Sequence, residues 1–313
     1  MDVNNHIPVL LEEVVQLLQP QPGHSFIDGT VGAGGHATAI LQATAPNGRL
    51  LAFDKDAEAI AFARQQLSSF GDRTTFVQAS YASMGQHAPH YNFTAVDGIL
   101  LDLGLSSRQL DDSRRGFSFM REGPLDMRFD TAQEVTAADL INNLTAEELA
   151  NIFWRYGEER HSRRLARAIV AQRQQVAFTT TTQLASFIAA ETSGRQRVHP
   201  ATRIFQALRI AVNDELVDVE RGIKAAVSLL KPGGRMAVIS FHSLEDRLVK
   251  QFFREQSKSC ICPPDQPVCT CTVQASLRLI TRKVVVATPE EVATNPRSRS
   301  ARLRVAEKVR KTK

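Results

Sequence analysis

The stretch Ser-Phe-Ile-Asp-Gly-Thr-Val-Gly-Ala-Gly-Gly-His, residues 25–36, decides the fold of this chain. A short apolar run predicts a strand over Ser25–Asp28, and a glycine-rich turn follows directly. The small residues after the turn predict a helix that ends near Ala43. A strand, a glycine turn and a helix in this order indicate the first unit of a parallel α/β sheet.

The glycine turn formally matches a dinucleotide fingerprint. Gly32, Gly34 and Ala37 fit the pattern G-x-G-x-x-G/A, and Asp54 follows about 20 residues later. By itself this pattern is weak, because NAD, S-adenosylmethionine (SAM) or merely a tight turn would explain it.

Further strands and helices extend this pattern outward from the turn. We predict strands over Arg49–Asp54, Thr74–Gln78 and Val96–Asp102, and Asp56 as the cap of a helix that reaches Phe70. Strands that alternate with helices predict a parallel sheet covered on both faces.

The periodicity becomes helical in the middle of the chain. Predicted helices cover 137–143, 146–156, 158–173, 182–191 and 200–230. Strands are predicted again over 235–241, 277–286 and 301–307, with a helix over 244–256. We therefore predict a sheet domain at 1–130 and 215–313 that carries an inserted all-helical domain at 131–214.

Carboxylates end three of the predicted strands, namely Asp28, Asp54 and Asp102. A pyrophosphate seated at the helix N-terminus would be repelled by Asp28, whereas SAM carries a sulfonium and an ammonium group. Asp54 can accept hydrogen bonds from ribose hydroxyls of either ligand. A single Asp would be explained as a helix cap or a surface charge, but three at successive strand ends favour SAM.

The composition limits the class of protein and its location. The chain has 313 residues with 43% hydrophobic and 23% charged side chains, which suits a folded protein with a sizeable core. A net charge of +5 is compatible with a nucleic-acid partner. No apolar stretch is long enough to span a bilayer and the first 18 residues do not resemble a signal peptide, so we expect a cytoplasmic protein without membrane contact.

Several long motifs, in order along nearly the whole chain, resemble the bacterial 16S rRNA (cytosine-N4)-methyltransferase family, RsmH or MraW. They are Gly-Thr-x-Gly-x-Gly-Gly-His at 29–36, Leu-Leu-Asp-Leu-Gly-x-Ser-Ser-x-Gln-Leu-Asp at 100–111, Arg-Gly-Phe-Ser-Phe at 115–119, Gly-Pro-Leu-Asp-Met-Arg at 123–128, Tyr-Gly-Glu-Glu-Arg at 156–160, His-Pro-Ala-Thr-Arg at 199–203, Ser-Phe-His-Ser-Leu-Glu-Asp-Arg at 240–247 and Asn-Pro-Arg at 295–297.

The resemblance implies a Rossmann-like class I SAM-dependent methyltransferase sheet with an inserted helical domain. It implies methyl transfer to the exocyclic N4 of a cytidine in the decoding (P-site) region of 16S rRNA, with the small ribosomal subunit as partner. It also implies these SAM-binding positions: Gly34, Gly35, His36, Asp54, Tyr81, Asp102 and Gln109. Tyr81, Arg108 and Ala37 depart from the family's usual Phe, Pro and Ser, and none removes a group that the chemistry obviously needs.

Asp102 is the candidate catalytic residue. The exocyclic amine of cytosine is a poor nucleophile, and an acceptor at the strand edge would align it with the sulfonium methyl group. Asp102 can provide that acceptor, as can the loop to Ser107 with the Ser106 and Ser107 hydroxyls. In the alternative, which we weigh equally, Asp102 contacts only SAM, and alignment of the amine with the methyl group is sufficient for the reaction.

Basic segments are candidates for phosphate contacts. One is a predicted helix that carries Arg160, His161, Arg163, Arg164 and Arg167. Taken alone, this helix is better explained as a charged face exposed to solvent. The other is the tail with Arg297, Arg299, Arg302 and Arg304. His242 would either touch substrate or pack beside a helix capped by Ser243, and we predict Trp154, Phe252 and Phe253 to be core residues.

All four cysteines lie in one short segment, Cys260-x-Cys262-x6-Cys269-x-Cys271. Two close pairs in a reducing compartment suit a structural zinc site. The alternative is a proline-stiffened loop with free or redox-labile thiols.

Other functional classes remain open from sequence. They are a NAD-dependent oxidoreductase, a methyltransferase acting on another RNA or DNA amine, and a non-catalytic ribosome-assembly factor. A binding factor has no need for a SAM pocket, and a Pro-Pro-Tyr-type amine-methylating motif is not visible in the sequence. Oligomeric state is expected to be monomer or homodimer.

Overall fold

A computed structural model describes residues 7–192, 198–260, 262 and 271–310. It divides into two compact units. The first comprises residues up to Gly104 and from Leu216 onward, and the second comprises Leu105–Glu215.

The first unit is built on a seven-stranded sheet in the order β3-β2-β1-β4-β5-β7-β6. Strands β1 to β5 are parallel, whereas β7 is antiparallel to both β5 and β6. The strand bounds are β1 Ser25–Asp28, β2 Arg49–Asp54, β3 Thr74–Gln78, β4 Val96–Asp102, β5 Leu230–Ser240, β6 Leu277–Leu279 and β7 Arg302–Lys308. The predicted bounds of β1 to β4 are confirmed.

Apolar side chains point alternately to the two faces of the sheet along each strand, and a buried core lies on each face. Ile27, Leu51 and Ile99 belong to one buried cluster, while Leu50 and Leu100 belong to the other. Successive side chains of a strand point to opposite faces, so strands that are apolar at every position are buried on both sides. This pattern explains why the parallel strands read as continuous apolar runs in the sequence.

Helices complete both units. Their bounds are α1 Leu11–Leu18, α2 Gly35–Ala43, α3 Ala57–Gln66, α4 Met84–His87, α5 Ser107–Asp111, α6 Ala137–Asn143, α7 Ala146–Gly157, α8 Ser162–Arg173, α9 Thr181–Glu191, α10 Ala201–Asn213, α11 Glu215–Leu229, α12 Ser243–Gln256 and α13 Pro289–Thr294. Asp56 caps α3 through the backbone N–H of Glu58, as predicted, although α3 ends before Phe70. Among the described helices, none is both long and apolar enough to cross a membrane.

The helical unit begins earlier than the predicted boundary at residue 131. Phe117, Leu125 and Met127 are buried in its own core together with Phe153 and Leu208. Residues 105–130 therefore pack with the helices that follow them. Their lack of helical periodicity explains why the sequence pattern grouped them with the sheet.

Other predicted elements also differ from the structure, and the helix predicted over 158–173 begins only at Ser162. The predicted helix 200–230 is two helices, because Asp214 adopts a left-handed conformation (φ 52°) and ends α10. The predicted strand 277–286 is a three-residue strand, and Val285 makes only an isolated bridge to Leu303. Strand β5 begins at Leu230, before the predicted start at 235, through the turn at 231–234.

Candidate functional site

The glycine turn after β1 has the geometry that its sequence predicts. Gly32 and Gly34 have φ values of 49° and 83°, a region in which only glycine is unstrained. Gly34 is the N-cap of α2, and the Gly32 N–H donates to Oδ2 of Asp54 at 3.0 Å. The turn is thereby fixed to the end of β2, next to β1 in the sheet.

Thr30 connects the ends of β1 and β4. Its backbone N–H donates to Oδ1 of Asp28 at 3.0 Å, and its hydroxyl oxygen accepts from the Asp102 N–H at 2.7 Å. The sequence singled out both aspartates but gave no role to this threonine. Its linking role depends on β1 and β4 being neighbours, which is the point where the strand order changes direction and where α/β sheets bind ligands.

The three predicted carboxylates do meet at this edge of the sheet, and burial raises the pKa of each. The pKa of Asp54 rises to about 6, that of Asp28 to about 7 and that of Asp102 to about 8. Burial is the largest cause in all three. The charge of Asp54 adds to the shift at Asp28, and those of Asp28 and Glu245 add to the shift at Asp102. A cluster of this kind is suited to a cationic ligand, which would compensate the shared negative charge.

Asp102 has an unsatisfied acceptor. Its Oδ1 is buried and has no hydrogen-bond partner among the described residues, while the side chain as a whole remains 22% exposed. A buried acceptor without a donor costs about 1–3 kcal/mol. The donor that Oδ1 lacks in the protein would be provided by a bound ligand.

His36 faces the other oxygen of the same carboxyl. Its Nε2 donates to the Val9 carbonyl at 2.9 Å, so the Nε2 atom holds the proton of the neutral ring. Nδ1 lies 3.7 Å from Oδ2 of Asp102, within ion-pair range but beyond a hydrogen bond. The predicted residue is therefore fixed in orientation at the N-terminus of α2.

Asp54 is held at the end of β2 by backbone donors. Oδ2 accepts from Gly32 and Oδ1 accepts from the Asp56 N–H at 3.0 Å. Each carboxylate oxygen can accept a second hydrogen bond. The group is thus preorganised to accept from hydroxyl groups such as those of a ribose.

Tyr81 begins a short 3-10 turn after β3, and its ring packs directly on Gly222 of α11. A Cβ atom at Gly222 would lie 2.4 Å from Cδ2 of Tyr81. On the same helix, Asp218 binds Lys55 at 2.6 Å and the Ser80 hydroxyl at 2.7 Å. Sequence reasoning missed Asp218, because its partners follow two different strands and are far from it in the chain.

We expect Gly222→Ala to lower the free energy of unfolding by about 1–3 kcal/mol, because the new methyl group overlaps the Tyr81 ring. Gly85→Ala in α4 is the matched control. A Cβ atom at Gly85 would lie 3.5 Å from Ala225, an ordinary van der Waals distance. Chemical denaturation of both variants measures the difference. Equal stability of the two would contradict the close packing of α11 on Tyr81.

Gln109 belongs to the helical unit and has a local role there. Its Oε1 accepts from the Ser106 N–H at 3.0 Å, and its own N–H donates to Ser106 Oγ at 3.2 Å. The pair forms a capping box at the start of α5. The Ser106 hydroxyl, an alternative acceptor for the amine, is therefore already engaged.

One of the two alternatives for His242, a helix capped by Ser243, is wrong, and so is the core position predicted for Trp154. The N-cap of α12 is His242 rather than Ser243, and Glu245 completes a capping box with it. Trp154 is 59% exposed rather than part of the core. Phe253 is buried in the core and Phe252 packs against it, as predicted.

The basic tail is partly used within the protein. Asp246 binds Arg302 at 3.1 Å and Arg304 at 2.7 Å. Only 11% of the Arg304 side chain is exposed. Of the predicted phosphate contacts in the tail, Arg299 is exposed and Arg297 is half-buried.

The basic face of α8 is exposed in the helical unit. A groove of about 480 Å³ lies beside it. Its lining comprises Ala150, Asn151, Trp154, Arg160, His161, Ser162, Arg163, Arg164 and Arg167. All five predicted basic residues thus line the same groove as the exposed Trp154.

The MraW methylase family matches residues 3–309. The Ribosomal RNA small subunit methyltransferase H of Syntrophotalea carbinolica is 53% identical over 97% of this chain and 98% of its own length. The protein of the same name from Geobacter sp. (strain M21) is 50% identical over 99% of this chain and 100% of its own length. A solved rRNA methylase from Streptococcus thermophilus covers 98% of this chain and 100% of its own length, with 12% identity and a TM-score of 0.43.

The match to the family extends over almost the entire chain, and the two relatives are 50% and 53% identical over nearly their full length. The sheet order and the site at its edge agree with that assignment. This chain therefore belongs to the MraW methylase family and is a SAM-dependent methyltransferase.

Proposed function

We propose that this methyltransferase transfers the methyl group of SAM to the exocyclic N4 of a cytidine in the decoding (P-site) region of 16S rRNA, in the small ribosomal subunit. Relatives named Ribosomal RNA small subunit methyltransferase H support the substrate class. The motifs shared with the cytosine-N4 family support the choice of atom. The activity would take place in the cytoplasm, where ribosomal subunits are assembled.

The observation that carries this proposal is the unsatisfied Oδ1 of Asp102 at the edge of the sheet. An exocyclic amine donates hydrogen bonds, and a carboxylate acceptor would orient its nitrogen toward the methyl donor. A proton acceptor is most effective when its pKa lies near the operating pH, and the pKa of Asp102 is about 8. We propose Asp102 as the catalytic acceptor, with no covalent enzyme intermediate.

We propose that SAM is held by Gly34, Gly35, His36, Asp54, Tyr81, Asp102 and Gln109. The residues fit this ligand because buried carboxylates at the strand ends match its two cationic groups. Asp54 is preorganised for the ribose hydroxyls, and Gly34 leaves the N-terminus of α2 open. A buried Asp28 beside the turn disfavours a pyrophosphate, which argues against NAD.

The decisive experiment is methyl transfer from labelled SAM to small subunits purified from a strain that lacks this enzyme, followed by nucleoside analysis. We expect label in N4-methylcytidine. Naked 16S rRNA and large subunits serve as parallel substrates, which also tests whether assembled subunits are required. Label in another nucleoside would contradict the proposed target atom, and subunit binding without transfer would indicate an assembly factor.

We propose the groove beside α8 as a contact surface for rRNA. Arg163 and Arg164 occupy the first turn of α8, where cations destabilise a helix through its dipole. Within the described chain neither has a carboxylate partner. Arg164 donates to the Glu191 carbonyl at the end of α9 at 2.7 Å, whereas the stability of α8 does not account for Arg163. Trp154, exposed beside them, offers a surface on which a base can stack.

The double variant Arg163→Ala/Arg167→Ala is expected to weaken binding to small subunits about tenfold or more. The dependence of log affinity on log salt should become shallower by about 1–2, since each lost phosphate contact contributes about 0.7–0.9. The double variant Arg121→Ala/Arg155→Ala is the control, because it removes the same charge from exposed residues outside the groove. An equal loss of affinity in both double variants would show that net charge, and not the groove, determines binding.

A further inference from the structure

Three cysteine side chains converge in the segment between α12 and β6. The Sγ atoms of Cys260, Cys262 and Cys271 all lie within 4.8 Å of one another. Those of Cys260 and Cys271 are 3.7 Å apart. The chain has four cysteines, and the remaining one, Cys269, lies outside the described residues.

The distance between the sulfurs of Cys260 and Cys271 is compatible with a shared metal ion and too long for a disulfide. A disulfide requires about 2.05 Å between sulfurs. Zinc bound tetrahedrally at about 2.3 Å from each sulfur places neighbouring sulfurs about 3.8 Å apart. The observed 3.7 Å therefore equals an edge of a zinc–thiolate tetrahedron.

Burial does not explain why these thiols meet. Free cysteine behaves as a small apolar residue and is usually buried. Here Cys260 is exposed and the other two are half-buried. The Cys262 N–H also donates to Sγ of Cys260 at 3.4 Å, a contact that stabilises negative charge on a ligating sulfur.

We propose that Cys260, Cys262 and Cys271 bind a zinc ion in a structural site that fixes the connection between α12 and β6. An all-sulfur set of ligands is typical of structural zinc. The two ends of the connection are already joined, because Ser276 donates its backbone N–H to the Gln256 carbonyl at 2.9 Å.

The site is separate from the strand-edge carboxylates. Helix α12 begins three residues after β5 and has 14 residues, so its two ends are about 20 Å apart. The cysteines follow the far end of the helix. Zinc at this position would therefore act on the structure of the loop and not on the methyl-transfer step.

The test is metal analysis of the full-length protein, purified with reductant and without chelator. We expect about one zinc per chain. Cys260→Ser and Cys271→Ser should each lower the zinc content at least fivefold, while Ser259→Ala, a neighbouring change without a thiol, should keep it. Cobalt-loaded wild-type protein should show sulfur-to-cobalt charge-transfer absorption, which Cys260→Ser weakens.

Thiol reactivity provides an independent readout that does not depend on the variants folding. In the wild-type protein we expect slow alkylation of the cysteines, accelerated by a zinc chelator, with circular dichroism as a check of folding. Zinc content far below one per chain, together with fast alkylation in the absence of chelator, would overturn the proposal. Cysteine pairs found oxidised by mass spectrometry under reducing purification would overturn it as well.

Discussion

Asp102→Asn is expected to lower the turnover number about 10²–10³-fold, the usual loss when a group that stabilises the transition state is removed. The variant keeps the shape of the side chain but cannot accept a proton, and its amide can present N–H groups to the incoming amine. SAM affinity should fall less than turnover does, by about 10–10²-fold, the loss expected when one interaction with a charged group is removed.

Binding and turnover must be measured separately. Calorimetry gives the dissociation constant for SAM, and single-turnover transfer to small subunits at saturating SAM gives the rate. Asp72→Asn, which changes an exposed carboxylate of the same unit, is the control. A variant that binds SAM poorly yet turns over normally at saturation would show that Asp102 contacts only the donor.

SAM affinity is expected to rise steeply between pH 6 and pH 8 and then to level off. In the ligand-free protein, burial raises the pKa values of Asp54, Asp28 and Asp102 to about 6, 7 and 8. A cationic ligand favours the ionised carboxylates, so binding below these values releases protons. Each proton released changes the dissociation constant about tenfold per pH unit below the pKa of its group, so the three groups together give up to about 10³-fold weaker binding at pH 6 than at pH 8.

Calorimetry in buffers of different ionisation enthalpy measures the released protons directly. S-adenosylhomocysteine is the matched ligand, because it lacks only the methyl group and the sulfonium charge, and we expect a shallower pH dependence for it. Asp102→Asn should lose the part of the dependence near pH 8. A dissociation constant for SAM that is independent of pH would contradict the proposed contact with these carboxylates.

The same pKa values determine how stability depends on pH without ligand. Folding raises the pKa of Asp102 above its unfolded value, so its contribution to stability is fully present below about pH 4 and is lost as pH rises through about 8. The free energy of unfolding should therefore fall between pH 6 and pH 8.5. It should fall less in Asp102→Asn.

The sheet was predictable because its strands are local signals. Strands β1 to β4 are short apolar runs, and each of the three that end in aspartate stops where the prediction placed it. Apolar side chains at nearly every position identify strands buried on both faces. The order of the motifs along the chain is sufficient to indicate the family from the sequence.

The details of the site were not predictable, because they depend on neighbours that are distant in sequence. Thr30 acts as a link only because β4 lies beside β1. Asp218 gains its role from residues at the ends of β2 and β3. The unsatisfied oxygen of Asp102 likewise results from what surrounds it in the folded chain.

Errors at single residues have physical causes as well. Trp154 was assigned to the core because large aromatic residues are usually mostly buried, whereas the apolar side of α7 is formed by Leu149, Ala150 and Phe153. The sequence predicts phosphate contacts for the tail arginines because they lie close together along the chain. Asp246, far from them in the sequence, binds two of them.

The close carboxylates at the strand ends also affect the end of each catalytic cycle. In the proposed site, the donor product becomes a neutral thioether when the methyl group leaves, and one positive charge is lost from beside Asp28 and Asp102. Their mutual repulsion, no longer compensated, would favour both proton uptake and departure of the spent donor. The electrostatic arrangement that attracts the donor would thus help to expel what remains of it.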